Sequence, residues 1–164
     1  MRPVIFSFPT QTANGVCATQ TTTATDQSLV LNGSLSNFNA GVTPFAVTVA
    51  PGIQRTLTIT STGNISTATF TITGIDTSGY AVSTTLTGPN AATATTVAEF
   101  FKVTSISAGT IATSAFTVGV GITGTSRWAM VDTFQNPVVV TVAINTVTSA
   151  PVSIQHTFDP ISTS

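Results

Sequence analysis

Acyl transfer or hydrolysis needs a nucleophile, a base and a group that orients the base, and this chain offers a single histidine, His156. In Val152-Ser153-Ile154-Gln155-His156-Thr157-Phe158 the imidazole shares one strand face with Val152, Ile154 and Phe158. That setting suits a packed or interface residue better than a base. Asp159 follows three positions later, a spacing that specifies nothing. The five acids, Asp26, Asp76, Glu99, Asp132 and Asp159, are scattered singly along the chain, so no pair is marked for glycosidase chemistry. Cys17 is the only cysteine. It excludes an internal disulfide, and with no Cys-x-x-Cys, His-x-x-x-His or acidic loop the chain shows no zinc or calcium ligand set. The glycines of Gly119-Val120-Gly121-Ile122-Thr123-Gly124 lead into no helical pattern, so they carry no phosphate-binding reading. The expectation is a protein without catalytic residues, cofactor or metal.

The elements that carry these residues are poor in charge. Four basic and five acidic residues in 164 compare with roughly a quarter charged in an ordinary domain. Threonine and serine take their place. A neutral, hydroxyl-rich surface suits faces meant to be occupied by neighbours. Lys102, Arg2, Arg55 and Arg127 form no cationic stripe, which argues against direct nucleic-acid binding. Mean hydropathy is positive, yet the apolar run Val138–Ile144 is short and interrupted by Thr141, far from a membrane span. Val4 to Phe8 is likewise too short for the apolar region of a secretory signal.

Period-two alternation dominates from about residue 45. Thr56-Leu57-Thr58-Ile59-Thr60 and Thr67-Ala68-Thr69-Phe70-Thr71-Ile72-Thr73 each set apolar residues on one face and threonines on the other, as half-buried strands do. Ser61-Thr62-Gly63-Asn64 and Asp76-Thr77-Ser78-Gly79 supply turn residues, so residues 54–87 read as a run of hairpins. Leu57, Ile59, Phe70, Ile72 and Leu86 are expected to face inward. Gly88-Pro89-Asn90 ends a strand at 80–87, and residues 91–99 read as a loop or one helical turn. Further strands are expected at 100–107, 115–121, 127–133, 138–144 and 152–158. The threonine strands are not followed by equal coils at a constant interval, so no solenoid is indicated.

The fold class that follows is all-β, an antiparallel β-sandwich or barrel of jelly-roll or immunoglobulin-like type. Residues 1–25, with a polar threonine tract and no apolar periodicity, read as an extended N-terminal arm, with at most a short strand near Leu29–Leu31 after it. Residues 26–164 read as one domain, with 122–164 as closing strands or a small extension. Val4, Ile5, Phe6 and Phe8 on the arm, with Phe100, Trp128 and His156 on the domain, are the candidate interface residues.

The stretch Arg55–Ser61, Phe70-Thr71-Ile72-Thr73-Gly74-Ile75-Asp76, Gly79, Leu86-Thr87-Gly88-Pro89-Asn90 and Phe100–Ile106 resembles small structural proteins of tailed bacteriophages. Residues 128–137 and 152–159 look like the closing strands of the same group. The resemblance covers about residues 50–160. It implies a virion component made in the host cytoplasm, most simply a head decoration or cement protein on the capsid surface. The implied partners are the major capsid protein, other virion proteins and further copies of the chain in a homo-oligomer or symmetric array. A tail or head–tail connector component is the alternative within the particle. A carbohydrate-binding or adhesin-like β module is the alternative outside it.

Overall fold

The computed structural model describes Ile5, residues 10–36, 47–48, 52–110 and 114–129, and Ser153. The chain divides into two compact units, Met1–Ala129 and Met130–Ser164. The sequence reading joined both in one domain, 26–164, with 122–164 as closing strands or a small extension.

The described residues form nine strands and no helix: β1 (Thr12–Gln20), β2 (Gln27–Ser28), β3 (Val47–Thr48), β4 (Ile53–Ser61), β5 (Thr69–Ile75), β6 (Ala81–Thr87), β7 (Thr93–Phe100), β8 (Lys102–Ala108) and β9 (Phe116–Ser126). They make two antiparallel sheets. One, the β4 sheet, has the order β1-β9-β4-β7. The other, the β5 sheet, has the order β2-β8-β5-β6, with β3 also pairing with β8 beyond β2. The core lies between the sheets, where Leu57, Ile59, Phe116, Val118 and Val120 meet Phe70, Ile72, Val103 and Ile106. Phe70 and Phe116 touch edge to face across it, with ring centroids 5.1 Å apart. Burying each such aromatic contributes about 1.5–3 kcal/mol.

The inward set expected for 54–87 is found, with Leu57, Ile59, Phe70 and Ile72 fully buried and Leu86 packed at the rim. The predicted hairpin at 76–79 is also found. The Asp76 carboxylate accepts hydrogen bonds from the Ser78 and Tyr80 amides at 2.8 and 2.9 Å, while Gly79 takes φ +90°, a conformation open to glycine at little cost.

Four expectations are corrected. Residues 61–68 do not close a hairpin, because β4 and β5 belong to different sheets and this segment crosses between them. Residues 91–99 are not a loop or helical turn: β7 occupies Thr93–Phe100, as threonine and valine favour an extended backbone. The arm does not run to residue 25, because Thr12–Gln20 is a strand of the β4 sheet with Val16 and Cys17 completely buried. Residues 127–129 are not strand, and β9 instead continues unbroken to Ser126. The strands expected at 138–144 and 152–158, apart from Ser153, lie outside the described residues, as do residues 130–133.

Candidate assembly interface

The β5 sheet positions its polar residues by simple alternation. With Phe70, Ile72 and Gly74 directed into the core, Thr69, Thr71 and Thr73 must stand on the outer face. The register then aligns hydroxyls across strands: Ser28, Ser107, Thr71 and Thr85 form one row, and Ser105, Thr73 and Ser83 the next. Thr69 pairs with Thr87 beside them. The Thr73 and Ser105 hydroxyls lie 2.5 Å apart, and Thr104 Oγ1 donates to the Thr73 carbonyl at 3.1 Å. No charged residue occurs in these rows.

The β4 sheet is built differently. Beside Thr56 and Leu57, both neighbours of β4 bulge. Between the pairs Thr56–Glu99 and Thr58–Thr95, β7 sets the three residues Thr96–Ala98 against Leu57 alone. Between Arg55–Gly124 and Leu57–Val120, β9 sets the three residues Gly121–Thr123 against Thr56 alone. Each bulge breaks the ladder and contains one apolar side chain that faces solvent, Val97 at 96% and Ile122 at 74% exposure. The interrupted groups find side-chain partners. Thr96 Oγ1 accepts from the Leu57 amide at 2.9 Å and donates to the Ala98 carbonyl at 2.8 Å. The Arg55 guanidinium donates to the Gly121 carbonyl.

Arg55 is only 2% exposed, its Nε has no hydrogen-bond partner, and among the described residues no carboxylate pairs with it. Desolvation lowers its pKa, yet a guanidinium stays charged at neutral pH. Its position on β4 beside the β9 bulge gives it a structural task, holding the carbonyl that the broken ladder releases.

Thr56 and Thr58, expected on a wet face, are buried. Thr58 sits opposite Gly119, and a Cβ on Gly119 would lie 2.1 Å from the Thr12 carbonyl oxygen. Backbone of β1 therefore crosses that face and covers it. The consequence is a buried Thr58 hydroxyl with no partner. Gly119, Gly121 and Gly124 match the spacing of a dinucleotide fingerprint, but all three lie within β9. Their Cβ sites are filled by β1 backbone, by Thr56 Oγ1 and by Gln54 backbone respectively, which leaves no cradle for a phosphate.

The groups with intrinsic reactivity are not assembled. Cys17 is buried, and burial pushes its thiol up from 9.0 to about 12 against a smaller opposing effect of a hydrogen bond with Gln20, so it is not a nucleophile at neutral pH. Among the described residues no group of three or more His, Cys, Asp or Glu could hold a metal. A shallow depression of about 180 Å³ bordered by Thr19, Thr60, Thr62 and Phe116 is smaller than the roughly 300–1,000 Å³ of ligand pockets.

Of the interface residues expected from the sequence, Phe100 is corrected. It ends β7 completely buried in the core cluster, because alternation along β7 puts it on the inward face with Ala94, Thr96 and Ala98. Trp128 is half exposed and Ile5 largely exposed. Val4, Phe6, Phe8 and His156 lie outside the described residues. The hydroxyl rows of the β5 sheet were missed as a surface; the signal lay in the Thr-x-Thr strands, but their cross-strand register is a tertiary property. No family model matches the chain, and neither a curated protein nor a solved structure matches it.

Proposed function

We propose that this chain is a structural protein of a tailed-bacteriophage particle, seated on the capsid surface as a decoration or cement protein that bridges major capsid subunits. The observation that carries this reading is the pair of uncharged hydroxyl rows on the β5 sheet, Ser28 through Ser107 and Thr71 to Thr85 and Ser105 through Thr73 to Ser83, with Lys102 the one charged residue in the strands of that sheet. Docking such a face strips water from hydroxyls that can exchange one hydrogen bond for another, and it avoids the several kcal/mol of desolvating an ion. A capsid lattice repeats each contact by symmetry, so modest single contacts add up. The likeness to phage structural proteins over residues 50–160 supports the same reading.

The test is the copy number of the chain in purified particles. Hundreds of copies are expected. About six or twelve, the numbers set by a symmetric ring, would move the chain to the tail or connector, and none would overturn the virion reading.

A further inference from the structure

Among the described residues the sandwich has four strand edges, and three are closed. The outer edge of β1 is covered by residues 30–35: the amides of Gly33, Ser34 and Leu35 donate to the carbonyls of Val16, Asn14 and Gly15. Beside them the Gln20 amide exchanges two hydrogen bonds with the Val30 backbone. β7 is broken by its bulge at Thr96–Ala98 and carries Glu99. β2 and β3 are two residues each. Bulges, covering segments and short strands are the devices by which proteins block edge pairing. β6 has none of them. It runs seven residues without charge, proline or bulge, pairs only with β5 among the described residues, and keeps one register from Ala81 to Thr87.

The hairpin's own hydrogen bonds identify which groups of β6 face outward. The Asp76 amide donates to the Tyr80 carbonyl, and the Gly88 amide to the Ala68 carbonyl, so the pairs 76–80 and 68–88 are hydrogen-bonded ones. By alternation Val82, Thr84 and Leu86 bond to β5. Ala81, Ser83, Thr85 and Thr87 present their N–H and C=O groups away from the sheet.

We propose that β6 is a homodimer interface, in which a second copy of this chain pairs antiparallel with it about a two-fold axis at Thr84. In that register Ser83 faces Thr85 of the second copy and Ala81 faces Thr87, so all four outward residues of each copy are hydrogen-bonded. A shift of two residues leaves one unpaired in each copy, and a shift of one opposes unmatched groups. The same register sets Val82 against Leu86 of the second copy, on the inner face. Those two side chains are the half-buried ones at the rim of the core, so pairing joins the cores as well as the sheets. The hydroxyl rows then run on across the dyad. The strand is self-complementary, as an isologous contact requires, and the dyad forms whether or not the chain belongs to a virion.

Two measurements on the purified full chain decide it. At the dyad Thr84 meets its own copy as a non-hydrogen-bonded pair, at a Cα separation of about 4.5 Å that a disulfide can span. Thr84→Cys should give a covalent dimer under mild oxidation, whereas Ala81→Cys, about 20 Å from its own copy in this register, should not; buried Cys17 does not compete. Sedimentation should show a dimer for the unaltered chain. It should show only monomer for Ser83→Pro, which removes a donor that faces water in the single chain. Ser83→Lys/Thr85→Lys should also be monomeric, because it opposes like charges across the dyad while altering two exposed side chains. A monomeric unaltered chain, equal cross-linking at 81 and 84, or a dimer that survives the lysine pair would overturn the proposal.

Discussion

The two sheets share a core yet differ in how they end. In the β4 sheet every pairing contains a register shift, and the irregularities are answered from within: Thr96 caps the Leu57 amide, Arg55 holds the Gly121 carbonyl, and β1 crosses over Gly119. In the β5 sheet the β5–β8 pairing shifts once, at Thr104, but the β5–β6 pairing is unbroken over seven residues and the outer face carries matched hydroxyl rows. A sheet that satisfies its own backbone has little left to offer a partner. Among the described residues the β5 sheet keeps one edge without a partner strand and two rows of uncharged hydroxyls, so the difference divides the unit Met1–Ala129 into a closed sheet and a sheet available for assembly.

The largest effect is expected where the regular sheet meets the core. Ile72→Asp buries an unpaired charge and should abolish the cooperative melt. Thr71→Asp, one residue along on the outer face, should change stability by no more than about 0.5 kcal/mol. Greater damage from the second substitution would reverse the assignment of faces. Next is Gly119→Val. Its side chain would meet the Thr12 carbonyl and displace β1, at a cost of about 1–3 kcal/mol by chemical denaturation. A neutral result would mean that β1 does not seal this face.

A further pair of effects has opposite signs within one sheet. Thr96→Val keeps the shape but leaves the buried Leu57 amide without its acceptor, and should destabilise by about 1–3 kcal/mol. Thr58→Val removes a buried hydroxyl that has no partner and should stabilise by about 1 kcal/mol. The same denaturation midpoint reads both. Equal signs would show that the β7 bulge is not capped as described.

This contrast also explains how much was legible in the sequence. Strands β5 and β6 and the turn between them were readable because alternation, turn chemistry and burial agree there, from Phe70 and Ile72 inward to Asp76 and Gly79 at the turn. β1 and β7 were not readable. Gly15, Val16 and Cys17 are buried in succession, and in β7 the inward residues Ala94, Thr96 and Ala98 are small or polar while the apolar Val97 faces out, so neither shows an apolar alternation. β4 was half readable: its inner face follows the pattern, but the burial of Thr56 and Thr58 comes from neighbours that bulge or cross over. The candidate surface was the hardest to foresee, because a single strand shows its threonines and not the strands they will stand beside.

The most direct test of the division between closed and open sheets is residue-resolved amide exchange, compared between dilute and concentrated solutions of the unaltered chain. Protection should rise with concentration at Ala81, Ser83, Thr85 and Thr87, the amides that face away from β5, and stay unchanged along Thr93–Phe100 on the bulged edge. A rise along β7 with none along β6 would contradict the account.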